Sequence, residues 1–135
     1  MTCAAHAILA AAVGARARSR AGAFLAGIGT HLIADLLPHR DFSPAVEMLL
    51  AATALATVGR AAGFDSTAFA GALGGLAPDA ETALLAAGMI ERPSFPTHRG
   101  IHGRRTTEAV SQVALSCAAF GLSLCWGGQA ERKRR

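Results

Sequence analysis

The chain alternates long apolar blocks with short polar punctuation, and the blocks have the length and alanine content of helices rather than strands. Thr2 to Ala15 reads as a short helix with Thr2 as its cap and Gly14 near its end. Ala21 to Leu37 is a second helix with no charge before Asp35, and its length of about 25 Å falls slightly short of a bilayer core. Pro38 closes it, because a proline disfavours helical geometry at the residue before it and lacks a backbone donor. Ser43 caps and Pro44 opens a third helix that runs to Gly59. Ser66 to Ala77 is a fourth, in which Gly71 and Gly75 have the spacing that lets two helices approach closely. Pro78 is expected to interrupt that helix, with Ala80 to Met89 continuing as a further apolar piece and Glu91 to Gly103 forming a loop punctuated by Pro and Gly.

Ala109 to Ala130 contains no charged residue, which is the length of a membrane span, and it ends in Trp126 followed by Arg132, Lys133, Arg134 and Arg135. An interfacial anchor followed by a cytoplasmic flank has that form, although a buried helix in a soluble bundle fits the same pattern. The expected fold is all-α: a small up-and-down bundle of about five helices, membrane-embedded, with one domain over 1–130 and a basic tail over 131–135.

Composition sharpens this picture. The 135 residues are 52% hydrophobic and only 16% charged, against roughly 25% charged for ordinary soluble domains. Mean hydropathy is +0.36, a value that points toward membrane association even though much of it comes from weakly apolar alanine. The net charge of +4 is gathered at Arg16, Arg18 and Arg20, around Arg99, Arg104 and Arg105, and in the tail. No aromatic residues are interleaved with these groups to stack on bases, so nucleic-acid binding is not expected. Cys3, Cys117 and Cys125 are odd in number and form no CxxC, which argues against a disulfide framework or a zinc–thiolate site. The opening run has no basic residue ahead of its apolar stretch, which argues against a signal peptide.

The chemistry lies in the polar residues that interrupt the apolar blocks. In Gly29-Thr30-His31-Leu32-Ile33-Ala34-Asp35-Leu36-Leu37-Pro38-His39, His31 and Asp35 stand four apart and project from one helix face. His98 and His102 repeat that spacing in Pro96-Thr97-His98-Arg99-Gly100-Ile101-His102, and Pro78-Asp79-Ala80-Glu81 supplies two carboxylates. If the helices run alternately up and down, His6, His31, Asp35, His39, Asp79, Glu81, His98 and His102 fall at one end, while Arg16, Arg18, Arg20, Arg60 and the tail fall at the other. Imidazoles with carboxylates are the ligand set for zinc, and also for manganese or iron. A cation held there acts as a Lewis acid, Glu81 or Asp79 would serve as general base, and Arg99 is placed to hold an anionic group such as phosphate. By the positive-inside rule the basic end faces the cytoplasm and the histidine end faces the periplasm or exterior.

Together AHAILAAAVG, GTHLIADLLPH, GGLAPDAE and HRGIH resemble the bacterial membrane-bound metal-dependent hydrolases, a group of small helical inner-membrane proteins that includes the YdjM-like proteins. The resemblance implies metal ligation by His6, His31, Asp35, Asp79, His98 and His102. Through that family's distant likeness to zinc-dependent phospholipase C, it also implies a phosphoester or lipid-like substrate. Glu81 stands where that family has a second Asp, Gly103 where a Ser follows the last histidine, and His98 and His102 are one residue closer than in the family pattern. The expected function is therefore metal-dependent hydrolysis at the inner membrane. The alternative is a non-catalytic helical membrane protein whose His and Asp residues brace the helix ends.

Overall fold

The computed structural model describes residues 1–36, 42–92, 94–95 and, singly, 116, 118 and 121. Among these there are four helices and no strand: α1 (Cys3–Gly14), α2 (Arg20–Ala34), α3 (Pro44–Ala62) and α4 (Thr67–Ala86). Ser116, Ala118 and Gly121 are helical. The rest of the expected helix Ala109 to Ala130, the tail, His39, His98, Arg99 and His102 lie outside the described residues.

Hydroxyl caps set three of the helix starts. Thr2 Oγ1 accepts from the Ala5 N–H at 3.3 Å, Ser19 Oγ from Gly22 at 3.1 Å and Ser66 Oγ from Phe69 at 3.0 Å. At α3, Ser43 is extended and Pro44 opens the helix without a side-chain cap bond. Glu47 in its first turn accepts from the Phe42 N–H at 2.9 Å and from the Cys3 N–H, the first of α1, at 2.8 Å. One carboxylate thus pins the start of α1 to the start of α3. α3 runs past the expected end at Gly59 because that glycine lies helical beneath the Phe64 ring, and the chain leaves the helix at Gly63, whose φ of +92° suits glycine.

α4 is the centre of the bundle, with α1 and α2 packed backbone to backbone against it. A Cβ added at Gly71 would stand 2.5 Å from the Ala10 carbonyl oxygen and 2.9 Å from Gly14 Cα. At Gly27 it would run into the Gly71 carbonyl and stand 2.9 Å from the Gly75 nitrogen. At Gly74 it would run into the Phe24 carbonyl. The small-residue spacing anticipated at Gly71 and Gly75 is therefore the seam of two helix pairs. Along it α1 runs antiparallel to α4 and α2 runs parallel to α4, which gives up-down-up-down order. The core is small throughout: Ala7, Ala11, Ala54, Val58, Ala68, Ala72 and Leu76 form its main cluster.

A second expectation is corrected. Pro78 does not interrupt the fourth helix, which continues through it to Ala86, so Ala80 to Met89 is not a separate piece. Only the bond from residue 78 to the Gly74 carbonyl is lost, and Pro78 itself is fully buried. The packing of α1 and α2 on both sides of α4 outweighs the cost of about 3 kcal/mol that an interior proline imposes. The outer surface is apolar in places: Leu25 and Ile33 on α2 and Met48 and Leu49 on α3 are each about two-thirds exposed or more. α3 is long and apolar enough to cross a membrane.

Gly71→Ala is expected to lower stability by about 1–3 kcal/mol through backbone overlap with α1. Gly29→Ala, whose Cβ meets nothing within 4 Å, is expected to be neutral or to gain up to about 1 kcal/mol. Equilibrium unfolding of both variants checks the pair, and equal effects would contradict this account of the seam.

Candidate metal centre

Three helices contribute to one cluster at the pole opposite Arg16, Arg18 and Arg20. α1 brings His6 in its second turn, α2 brings His31 in its last turn and Asp35 as its C-cap, and α4 brings Asp79 directly after Pro78. His6 and His31 are 1% and 0% exposed and Asp35 is 3% exposed. Asp79, with 21% of its side chain exposed, forms the open edge.

Asp35 lies between the two imidazoles. Its Oδ1 is 3.0 Å from His6 Nε2 and its Oδ2 is 3.3 Å from His31 Nε2. The rings themselves are stacked, with centroids 3.8 Å apart and planes inclined by 26°. Asp79 Oδ1 lies 3.9 Å from His31 Nε2, and the Met1 amino nitrogen is 3.8 Å from Asp35 Oδ1. One ligand atom from each of His6, His31 and Asp79 falls within 4.8 Å of the others.

The orientation of His31 is fixed from behind, because its Nδ1 lies 2.7 Å from the Gly75 carbonyl oxygen. A carbonyl only accepts, so Nδ1 carries the proton and donates it. In the neutral ring the lone pair then sits on Nε2, the nitrogen turned toward Asp35 and Asp79. A lone pair facing carboxylate oxygens at 3.3 and 3.9 Å repels them unless a proton or a cation lies between. Histidine ligands are characteristically held this way, with the second ring nitrogen donating to a carbonyl. The local sequence makes the arrangement: Gly75 has no side chain to keep α1 and α2 away, and Pro78 follows three residues later, where a proline tilts the preceding carbonyls off the helix axis.

His6, His31 and Asp79 form a group that could hold a metal ion. Two cis ligands on a tetrahedral zinc, with bonds of about 2.0–2.2 Å, are separated by about 3.3–3.6 Å. The observed nitrogen-to-oxygen separations of 3.0, 3.3 and 3.9 Å bracket that range. His6 Nε2, 3.0 Å from Asp35 Oδ1, donates to that carboxylate, and the buried Nδ1 is left without a hydrogen-bond partner. Two carboxylates in a largely buried pocket also carry negative charge that a cation would offset.

Of the residues singled out in the sequence, His6, His31, Asp35 and Asp79 come together. Glu81 is engaged otherwise: its Oε1 accepts from the Ser94 N–H at 2.6 Å and its Oε2 from the Phe95 N–H at 2.9 Å, which folds the chain after α4 back onto that helix. His98, Arg99 and His102 lie outside the described residues. Three contributors escaped the sequence reading. The Gly75 carbonyl is backbone and leaves no signature. Glu47 is signalled only as an acid in a first turn. Cys3, read as a small buried hydrophobe, has its thiol against the Asp79 and Glu47 carboxylates, and its position one turn before His6 was the available clue.

No family model, no curated protein and no solved structure matches the chain.

His31 is expected to be protonated on Nδ1 in the metal-free protein. Two-bond proton–nitrogen correlation of histidine-labelled protein reads this directly, and a neutral ring protonated on Nε2 would contradict the Gly75 contact.

Proposed function

We propose that this protein is a membrane-bound metal-dependent hydrolase whose His6, His31, Asp35 and Asp79 hold a divalent cation, zinc before manganese or iron, and whose substrate is a phosphoester or lipid-like molecule. The observation that carries the reading is the polarised His31: its Nδ1 donates to the Gly75 carbonyl while its Nε2 faces Asp35 and Asp79. The hydrolytic part is supported by the motif resemblance.

When bound, the cation supplies Lewis acidity and lowers the pKa of a water beside it. The chain's own residues do the rest. Asp35, fixed between the imidazoles, sets the spacing of the donors. Asp79 is the carboxylate at the open edge, where an entering water or substrate first meets the cluster, and it is the described group best placed to accept a proton there. The closed side, formed by His6 and His31, excludes bulk water.

The membrane assignment is supported by α3, by the uncharged Ala109 to Ala130 and by exposed leucine, isoleucine and methionine on α2 and α3. In our reading the protein lies in the inner membrane. The exposed Arg16, Arg18, Arg20 and Arg60 mark the cytoplasmic pole, and the His and Asp cluster faces the periplasm or exterior. One observation favours a second, non-catalytic reading: His6 Nε2 is at full hydrogen-bond distance, 3.0 Å, from Asp35 Oδ1, so the cluster also works as a buried polar brace between α1 and α2.

Metal analysis of detergent-purified protein separates the two. Stoichiometric zinc or manganese in the wild type, with affinity reduced at least tenfold in His31→Ala and in Asp79→Ala, is the expected result. A folded wild-type protein that binds neither metal would leave only the brace. Hydrolysis of an aryl phosphodiester by the loaded protein, lost on chelation and restored by zinc, is expected to follow the same variants.

A further inference from the structure

We propose that the pole opposite the His and Asp cluster is a docking surface for anionic phospholipid headgroups, built on Arg16, Arg18, Arg20 and Arg60; this rests on the membrane reading above and not on the metal centre. Charge in the described chain is sorted by pole. Asp35, Glu47, Asp79 and Glu81 lie toward the cluster, whereas the end formed by the α1–α2 and α3–α4 connections carries four exposed arginines and Asp65. The two connections sit side by side, because Arg20 Nη1 donates to Asp65 Oδ1 at 3.1 Å. That pair neutralises one arginine, and among the described residues no acid stands against Arg18 or Arg60.

The remaining charge is held in place rather than carried on a loose arm. Both connections are short, Ala15 to Ser19 and Gly63 to Ser66. Arg16 Nη1 donates to the Ala12 carbonyl oxygen at 2.7 Å, which fixes that guanidinium at the end of α1, and Arg60 stands in the last turn of α3. α2 and α4 begin at the same pole, and neither has an acidic residue in its first turn to offset its amino-terminal N–H groups. Guanidiniums placed in this way give up little freedom when an anion arrives.

Large apolar side chains are exposed within about two turns of these charges. Val13 on α1, Leu25 on α2 and Phe64 beside Asp65 are 43%, 66% and 61% exposed. A leaflet of anionic lipid has the same order, with phosphate outermost and hydrocarbon close beneath it. A soluble phosphate or a nucleic acid would use the arginines and leave the apolar border in water; a lipid meets both.

Binding of fluorescent phosphatidylglycerol and phosphatidylcholine to the full-length protein in nonionic detergent tests this. The expected result is tighter binding of phosphatidylglycerol, which weakens as salt is raised. It is expected to fall about fivefold for each arginine replaced in Arg18→Gln and Arg60→Gln, and to stay close to wild type in Arg18→Lys and Arg60→Lys, each variant being first shown helical by circular dichroism. Equal binding of the two lipids by a protein that fractionates with membranes would overturn the surface and leave the membrane reading standing. A phosphatidylglycerol preference unchanged when both arginines are replaced by glutamine would also overturn it, by placing the lipid elsewhere. Displacement of the lipid by inorganic phosphate or duplex DNA as effective as that by unlabelled phosphatidylglycerol would overturn it in favour of a soluble anion. Recovery of the wild-type protein in the soluble fraction would remove the membrane reading itself.

Discussion

Direct contact between helix backbones is the constraint on which the rest of this structure depends. At Gly14, Gly27, Gly71, Gly74 and Gly75 a methyl group would overlap the neighbouring helix, so α1 and α2 lie on α4 as closely as main chains can. That distance lets the His31 imidazole reach the Gly75 carbonyl at 2.7 Å, and it places His6, reaching from α1, on top of the His31 ring. The chemistry of the site is thus a consequence of what the seam lacks. A methyl at Gly75 would meet Ala10 Cβ at 2.5 Å and the His6 carbonyl at 2.8 Å, which would push α1, and His6 with it, out of the cluster.

Polar groups then do what the small core cannot. Asp35 ties α2 to α1 through His6, Glu47 ties α3 to the first amide of α1, and the capping hydroxyls satisfy the helix starts. The pattern is consistent: carboxylates join elements remote in sequence, and each accepts from or faces donors on two of them. Glu81 follows the same rule by holding Ser94 and Phe95 against α4. Its two oxygens are used as a clamp, which is why a carboxylate two residues from Asp79 contributes differently although the sequence makes the two look alike.

Much of this was legible in the sequence because it rested on local signals. Thr2, Pro44 and Ser66 marked helix starts, the i,i+4 pair His31 and Asp35 marked a polar helix face, and alternation of short helices brought His6, His31, Asp35 and Asp79 to one end. What was not legible depended on tertiary contact. Pro78 looked like a break because its local cost is visible in sequence, whereas its full burial in the fold is not. Gly59 looked like a terminator because nothing in sequence shows that Phe64 lies over it. The Gly75 carbonyl, which decides the tautomer of His31, has no side chain to read.

The character of the packing also supports the membrane reading independently of helix length. In water, burying a leucine or valine side chain contributes about 1.5–3 kcal/mol, and a soluble bundle of this size would be expected to place its large apolar residues inside. Among the described residues the buried apolar side chains are mostly alanine, with Met1, Val58 and Leu76, while Leu25, Ile33, Met48 and Leu49 are exposed. That inversion is costly where water is the solvent and neutral where lipid is, because hydrocarbon surrounds an outward leucine as well as a core would. In lipid the drive for association comes instead from close backbone approach and interhelical polar contacts, which are the two features this bundle has in quantity. In that reading a seam of bare Cα atoms and a buried His–Asp cluster are two ways of holding short helices together with little hydrophobic force, and the cluster used for cohesion also contains a group, His6, His31 and Asp79, that could hold a metal ion.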